Sequence, residues 1–256
     1  MKTLLVILSA AVCLCAQPST APNYTAAGIV NGASFTPGLA PNTIVSLFGT
    51  NLSWDTRTLH SSDIAGGILP TSLANVEVYF EGWPAYLYYV SPTQINLLIP
   101  SVLLPGTFNF WVARQGVAGP IVQVTLQPEA PAMFQTSDGK AIATHLDGSL
   151  VSSAKPAAPG EAITLWANGL GATNPDVVPG GLPPMAQWLS HMETFNIWIG
   201  GNPIDQTRIL YAGVAPGFAG LYQVNVRLPD SLPPNPELRL AIGSTMSPAG
   251  IVLPAQ

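Results

Sequence analysis

The chain has 256 residues, of which 48% are hydrophobic and only 8% are charged, and its formal net charge is −5 at pH 7. This length suits one large or two modest domains, and the hydrophobic content is sufficient for a core. The sequence has no cluster of basic residues, which argues against a nucleic-acid partner and against electrostatic attachment to an anionic membrane. The 24 glycines and 26 prolines stand between apolar runs, where they predict turns.

The N-terminal segment has the features of a secretory signal peptide. Lys2 supplies the positive charge, and the apolar run from Thr3 to Cys15 is too short to span a bilayer. We predict a signal peptide over residues 1–16 and export of the mature chain to the cell envelope or the extracellular space. A lipid anchor on a cysteine is the alternative, although small residues do not precede the cysteines as such an anchor prefers.

Both cysteines, Cys13 and Cys15, fall within the predicted signal peptide. The mature chain is therefore expected to have no disulfide, no thiol nucleophile and no thiolate metal site. No later segment has enough uninterrupted apolar residues for a transmembrane helix, and we predict none in the mature chain.

Four segments of the first half recur in the second half in the same order. The matched pairs are 40–53 with 158–171, 75–84 with 194–203, 91–100 with 220–229, and 106–112 with 236–242. Four matches in one order indicate a tandem duplication.

The matched segments alternate between apolar and polar residues. In the first copy Val76, Val78 and Phe80 alternate with Glu77 and Tyr79. A strand with one buried face produces this period of two, and Gly-containing turns follow the runs. No segment shows the apolar spacing of an amphipathic helix. We predict an all-β fold of two tandem immunoglobulin-like β-sandwich domains related by internal duplication, over residues 24–130 and 131–256.

The run PNTIVSLFGTNL (41–52) resembles the opening of IPT/TIG-type immunoglobulin-like domains. The mature chain also resembles a family of exported acidobacterial proteins, the Solibacter-type uncharacterised C-terminal domain. The resemblance rests on segments that cover nearly the whole mature chain, including IVNGASF (29–35), LPTSL (69–73), YVSPTQINLLIP (89–100), APAMF (130–134), YAGVAPGFAGLYQVNVRLP (211–229) and SPAG (247–250). It implies a tandem immunoglobulin-like fold and no established activity.

The motif Gln-x-Asn-x-x-x-Pro occurs once in each copy. Gln94 and Asn96 share one face of a predicted strand, and Gln223 and Asn225 do so in the second copy. If buried, these amides must find hydrogen-bond partners, which we expect in the backbone of the Pro-rich loops or in the neighbouring domain. We interpret them as structural repeat amides. Binding of a sugar or a peptide is the alternative.

Four outward aromatic residues are candidate ligand contacts. Tyr79 and Trp198 occupy equivalent positions in the two copies, and so do Phe48 and Trp166. Outward aromatic rings on a rigid β scaffold can stack on sugar rings or anchor a protein partner. The alternative is that they pack against loops or between the domains.

The sequence shows no catalytic, metal or cofactor motif. The three histidines, His60, His145 and His191, are far apart in sequence, so no paired zinc-ligand motif is present. A G-x-S-x-G nucleophile turn, a phosphate loop and a dinucleotide fingerprint are also absent. We predict no catalytic residue, no metal site and no cofactor.

We therefore predict a secreted, non-catalytic module for adhesion, scaffolding or protein recognition at the cell envelope or outside the cell. Its partner would be a protein or a polysaccharide. A carbohydrate-binding protein that uses the outward aromatic residues is the first alternative. An extracellular hydrolase and a self-assembling surface component are the others.

Overall fold

The computed structural model describes residues 21–256, so the predicted signal peptide lies outside the described residues. Within that range the chain is built from strands, joined by loops and by three short 3-10 turns, Ser61–Asp63, Met192–Thr194 and Gln206–Arg208. None of the described helices is long and apolar enough to cross a membrane. The all-β prediction from the two-residue alternation is confirmed.

The strands up to Leu126 form two antiparallel sheets. In chain order they are β1 (Asn23–Asn31), β2 (Ile44–Thr50), β3 (Arg57–Thr58), β4 (Ser72–Leu73), β5 (Val76–Phe80), β6 (Trp83–Pro84), β7 (Tyr86–Val90), β8 (Gln94–Leu98), β9 (Gly106–Arg114), β10 (Val117–Ala118) and β11 (Val122–Leu126). One sheet has the order β1-β2-β8-β7-β3. The other has the order β10-β9-β5-β4, with β11 against β9 and β6 against β5.

The strands from Ala132 onward form two further antiparallel sheets. They are β12 (Ala132–Met133), β13 (Ala143–His145), β14 (Ala162–Asn168), β15 (Thr173–Asn174), β16 (Gln187–Leu189), β17 (Phe195–Ile199), β18 (Asn202–Pro203), β19 (Ile209–Val214), β20 (Tyr222–Arg227), β21 (Leu238–Ile242) and β22 (Thr245–Met246). One sheet has the order β12-β14-β20-β19-β16-β15, with β13 against β14. The other has the order β18-β17-β21-β22.

Each pair of sheets encloses one apolar core. In the first sandwich, Leu47 of β2 meets Val78 and Phe80 of β5 and Phe110 of β9, and all four side chains are buried. These positions alternate with half-buried or exposed ones, as one buried face per strand requires. The second sandwich has its own core, built from the matched positions of β14, β17, β20 and β21.

The duplicated sequence segments form equivalent strands. β2 and β8 are neighbours in the first sandwich, as β14 and β20 are in the second, and β5 pairs with β9 as β17 pairs with β21. The fold is therefore two tandem immunoglobulin-like β-sandwiches related by internal duplication. The exact domain limits, 24–130 and 131–256, stay a prediction.

A small apolar cluster joins the two sandwiches. Leu69 and Leu98 of the first sandwich are buried against Ala219 of the second, and Tyr86 and Tyr88 pack against this cluster. The Tyr88 hydroxyl donates a hydrogen bond to the Ala219 carbonyl at 2.5 Å. The junction is therefore stabilised both by buried apolar surface and by the hydrogen bond of the Tyr88 hydroxyl.

Two glycines allow the close approach at this junction. A Cβ atom at Gly220, where φ is +65°, would lie 2.2 Å from Cδ1 of Leu98, and one at Gly180 would lie 2.3 Å from the Tyr86 ring. Gly180 also accepts a backbone hydrogen bond of 2.9 Å from the N–H of Leu69. A larger residue at either glycine would strain the backbone and displace the Leu98 side chain or the Tyr86 ring from the junction.

A buried asparagine in the second sandwich completes the junction. The Asn168 side chain accepts a hydrogen bond from the backbone N–H of Ile44 at 2.9 Å and donates to the Ile44 carbonyl at 2.7 Å. It also donates to Oδ1 of Asn31 at 2.9 Å. The Asn31 side chain in turn donates to the Ala130 carbonyl at 3.1 Å. Both asparagines are buried, and these bonds satisfy the polar atoms of Asn168.

Asn168→Ala should lower the free energy of unfolding by about 3 kcal/mol, because it leaves several buried polar groups without partners. Chemical denaturation followed by tryptophan fluorescence would measure the loss. The matched control is Asn202→Ala, which removes an exposed amide bonded to the Gly200 carbonyl and should cost less than about 0.5 kcal/mol. Equal losses in the two variants would contradict the account of the junction.

Buried tyrosines should make the protein sensitive to alkaline pH. Burial raises the pKa of Tyr24 to about 12 and raises the pKa of Tyr222. Above about pH 10 the unfolded chain has released these protons while the native state keeps them, so the free energy of unfolding should fall as pH rises. Denaturation at about pH 9 and about pH 11 would test this, and Tyr24→Phe should show a smaller fall. If the free energy of unfolding falls equally in that variant, Tyr24 does not contribute to the sensitivity to alkaline pH.

Candidate functional site

The Gln-x-Asn motif of the first sandwich forms a hydrogen-bonded group on one strand face. Nε2 of Gln94 donates to Oδ1 of Asn96 at 2.8 Å, and the Ser46 hydroxyl donates to the same oxygen at 3.1 Å. Ser46 lies directly opposite Asn96 in the pairing of β2 with β8. Side chains at such positions are close enough to bond without any loop.

The second sandwich repeats this group. Nε2 of Gln223 donates to Oδ1 of Asn225 at 2.9 Å, and the Thr164 hydroxyl donates to that oxygen at 2.9 Å. Our expectation that the Pro-rich loops or the neighbouring domain would satisfy these amides was wrong. The partners are a hydroxyl residue on the adjacent strand and the other amide of the motif, because the register of β14 with β20 places Thr164 opposite Asn225.

Each motif retains one unused acceptor and one unused donor. Within residues 21–256, no protein group bonds Oε1 of Gln223 or Nδ2 of Asn225, and the same holds for the matching atoms of Gln94 and Asn96. The four side chains are half-buried, and none of these atoms is among the fully buried polar atoms that lack a partner. The internal bonds fix the amides in place while leaving the oxygen of the Gln amide and the nitrogen of the Asn amide available to a ligand.

Two tryptophans flank the amides of the second sandwich. Trp166 lies opposite Gln223, Gln223 lies opposite Gly213, and Gly213 lies opposite Trp188. Three strand spacings of about 4.8 Å separate the two tryptophan backbones, or about 14 Å in all. Trp188 is 44% exposed and Trp166 is half-buried. The outer face of this sheet is therefore a shallow row of ring, amide and ring.

Tyr211 supports Trp188 from below. The two rings meet edge to face, with centroids 4.8 Å apart. The Tyr211 hydroxyl lies 2.7 Å from the Val214 carbonyl and 3.1 Å from the Gln187 carbonyl, and burial raises the pKa of this tyrosine. Gly213 leaves room for the arrangement, because an added Cβ would lie 2.6 Å from that hydroxyl.

We define the second-sandwich platform as the side chains on this face of the sheet, which are Thr164, Trp166, Trp188, Gln223 and Asn225 together with the buried Tyr211 that supports Trp188. All six are uncharged. The sequence singled out Trp166 and the two amides but missed Trp188 and Tyr211. Trp188 lies in a strand of only three residues, too short to show an alternating pattern. Tyr211 follows a bulge that shifts the alternation of β19.

Phe48 has an equivalent place in the first sandwich. It lies opposite Gln94 in the pairing of β2 with β8 and is 41% exposed. The structure therefore brings a predicted aromatic residue next to a predicted amide pair in both sandwiches. Phe48 and Trp166 also lie opposite the buried faces of their strands, as the alternation predicts.

Tyr79 and Trp198 lie on the other sheet of each sandwich, away from the amides. Tyr79 stacks on Trp111, with centroids 5.2 Å apart and ring planes 17° apart, and its hydroxyl donates to Glu77 at 2.9 Å. Trp198 lies opposite Arg239 and lines a shallow cavity of about 240 Å³. The four predicted aromatic contacts are thus divided between two different faces of each sandwich.

The histidines do not assemble a hydrolytic site. Nδ1 of His145 lies 2.5 Å from Oε1 of Glu161, as a catalytic pair would require. However, Nε2 of His145 faces the Lys155 carbonyl at 3.2 Å, where a nucleophile would have to be. His60 and His191 are exposed. Across the part of the chain that the structure describes, no group of three or more acidic, histidine or cysteine residues is placed to hold a metal ion.

No protein-family model matches the chain, and no curated protein matches it. Among solved structures, it is similar to the surface glycan-binding protein SGBP-B of Bacteroides ovatus in complex with a mixed-linkage heptasaccharide (11% identity, TM-score 0.32, covering 86% of this chain and 42% of that one). A surface glycan-binding protein of Prevotella bryantii (12% identity, TM-score 0.27, 83% and 37%) is also similar. The tandem immunoglobulin repeats of Dlar match at 10% identity and a TM-score of 0.23, covering 92% of this chain and 95% of that one.

This chain spans less than half the length of either glycan-binding protein. All three TM-scores are below 0.5.

Tyr211→Phe should lower the free energy of unfolding by about 1–2 kcal/mol, because it removes the buried hydroxyl that bonds two backbone carbonyls. Near-ultraviolet circular dichroism should also change as Trp188 loses its fixed support. The matched control is Tyr79→Phe. The Tyr79 hydroxyl donates to a partly exposed carboxylate, so its removal should lower the free energy of unfolding by less than about 0.5 kcal/mol. A larger loss in the control would contradict the role given to Tyr211.

Proposed function

We propose that this protein is a non-catalytic recognition module and that the second-sandwich platform is its binding surface. The observation that carries the proposal is the row Trp166–Gln223–Trp188, in which a half-buried and an exposed tryptophan flank an amide pair with an unused donor and acceptor. Aromatic rings held on a sheet bind with little loss of conformational freedom. The hydrogen bonds of Asn225 and Tyr211 hold the surface in one arrangement before any ligand arrives.

The geometry favours a neutral polysaccharide as the ligand. Sugar rings offer apolar faces that stack on indole, and their hydroxyls both donate and accept hydrogen bonds, which matches the unused acceptor Oε1 of Gln223 and the unused donor Nδ2 of Asn225. The platform contains no charged side chain that would attract an acidic or a basic polymer. Its length of about 14 Å between Trp166 and Trp188 exceeds what a single sugar ring would cover.

Recognition of a protein partner, in adhesion or scaffolding, is the second candidate. A groove of about 470 Å³ lies at the junction of the sandwiches and is lined by residues of both, including Leu103 and Val177. Val102 and Leu104 at this groove are 46% and 76% exposed. Exposed apolar side chains beside a groove are typical of protein contact sites.

We also propose that the protein acts at the cell envelope or outside the cell. The signal-peptide features of residues 1–16 support export, which would bring the chain to the polysaccharides of the cell envelope and of the extracellular space. Membership of the Solibacter-type family of exported proteins is likewise proposed from the motifs, of which YVSPTQINLLIP (89–100) and YAGVAPGFAGLYQVNVRLP (211–229) contain the amides of the two sandwiches.

Trp166→Ala and Trp188→Ala should each weaken retention on an insoluble neutral polysaccharide by about 30-fold, the effect of losing a central aromatic contact. Binding isotherms on cellulose, chitin, xylan and mannan would measure this for the full chain. The matched control is Trp198→Ala, which removes a tryptophan from the opposite sheet and should leave retention unchanged.

Two results would contradict this proposal. Loss of retention in Trp198→Ala with normal retention in the platform variants would place the binding surface on the other sheet. Failure of the unaltered protein to bind any of the four polymers would reject the neutral polysaccharide and leave protein recognition as the candidate to pursue.

A further inference from the structure

We infer that the first sandwich carries a second binding site for the same class of ligand, so that one protein molecule binds a neutral polysaccharide at two sites. This inference rests on the proposed function of the second-sandwich platform. The first-sandwich site consists of Phe35, Phe48, Gln94 and Asn96, which we call the phenylalanine site.

The polar part of the phenylalanine site matches that of the platform. Gln94 donates to Asn96 and Ser46 supports Asn96, as Thr164 supports Asn225 in the other copy. The unused atoms are also the same, an amide oxygen and an amide N–H group. A ligand that bonds one pair finds the same donor and acceptor at the other.

Its aromatic part is built differently. Phe48 occupies the position of Trp166, and Phe35 approaches from the loop after β1, with ring centroids 6.3 Å apart and planes 41° apart. The two rings are 41% and 57% exposed. The two neighbouring phenylalanines are exposed to water and form an apolar surface that is not part of the core of the first sandwich.

The backbone of Phe35 strengthens this interpretation. Its φ is +56°, in the left-handed region that a bulky residue rarely adopts and that Asn or Gly would occupy at lower cost. The loop holds it there by bonds from the Phe35 N–H to the Asn31 carbonyl at 2.8 Å and from the Asn31 N–H to the Thr36 carbonyl at 3.0 Å. Core packing does not account for an exposed ring in a strained conformation, whereas contact with a ligand does.

The two sites are rigidly connected. Asn31, which anchors the Phe35 loop, accepts a hydrogen bond from Asn168, and Asn168 lies two residues from Trp166 on the same side of β14. The junction therefore fixes the distance between the sites. Once a polymer occupies one site, its next segments stay near the other, and the second contact forms as an intramolecular step.

The inference predicts a difference between long and short ligands. A polymer that reaches both sites should bind at least about 10-fold more tightly than a short oligosaccharide of the same sugar. The oligosaccharide should bind with a stoichiometry of two per chain.

The test compares two double variants with the unaltered full chain. Phe35→Asn with Phe48→Thr removes both rings of the phenylalanine site; Asn suits the backbone at 35, and Thr suits a strand at 48, so folding should be preserved. Trp166→Ala with Trp188→Ala removes the rings of the platform. Binding is first screened on an array of neutral trisaccharides of cellulose, chitin, xylan and mannan types, which are long enough for one site and too short for both, and the strongest binder is then used in calorimetry.

We expect each double variant to bind one trisaccharide per chain and to lose at least about 10-fold in affinity for the polymer. A stoichiometry of one in the unaltered protein, with no effect of the Phe35 and Phe48 changes, would overturn the inference while leaving the proposed function intact. No binding of any trisaccharide or polymer by the unaltered protein would overturn both. Unfolding curves of the phenylalanine variant should match those of the unaltered protein.

Discussion

The side-chain amide of Asn168 holds the molecule together at its centre. It offers a C=O and an N–H to the backbone N–H and C=O of Ile44, as an adjacent strand would, and its second N–H reaches Asn31. A buried amide is costly unless its polar atoms are paired, so this arrangement allows little displacement of one sandwich against the other. The apolar contacts around Leu98 and Gly220 reinforce the same geometry.

On the outward faces of the sandwiches, polar atoms need partners too, but water can supply them. Gln94 and Gln223 lie where water can reach them, so only part of each amide pair is bonded within the protein. Hydroxyls from the adjacent strands, Ser46 and Thr164, fix the asparagine oxygens, and the remaining donor and acceptor point outward. The duplication copied this fixed polar group along with the strands. The aromatic surroundings have since diverged, to two tryptophans in one copy and two phenylalanines in the other.

Much of the fold could be predicted because the alternation and the internal matches are properties of local sequence. The same patterns predicted the outward positions of Phe48 and Trp166 and the shared faces of the amides. The partners of the amides depend on strand register, which the sequence does not display, and that prediction was wrong. Trp188 and Asn168 were missed for related reasons. Trp188 lies in a strand too short to show an alternation. Asn168 precedes Gly169 and therefore resembles a turn residue in the sequence, and its role becomes visible only from its contacts with the other sandwich.

The central claim is that paired amides beside exposed rings form the binding surfaces. Side-chain amide and indole resonances would test it most directly, by titrating isotope-labelled protein with neutral hexasaccharides of the four types and following each NH₂ and indole signal. The account predicts that the signals of Gln223, Asn225 and Trp166 shift in saturable fashion, together with those of Gln94 and Asn96. Shifts confined to Trp111 and Trp198, on the opposite sheets, would contradict it.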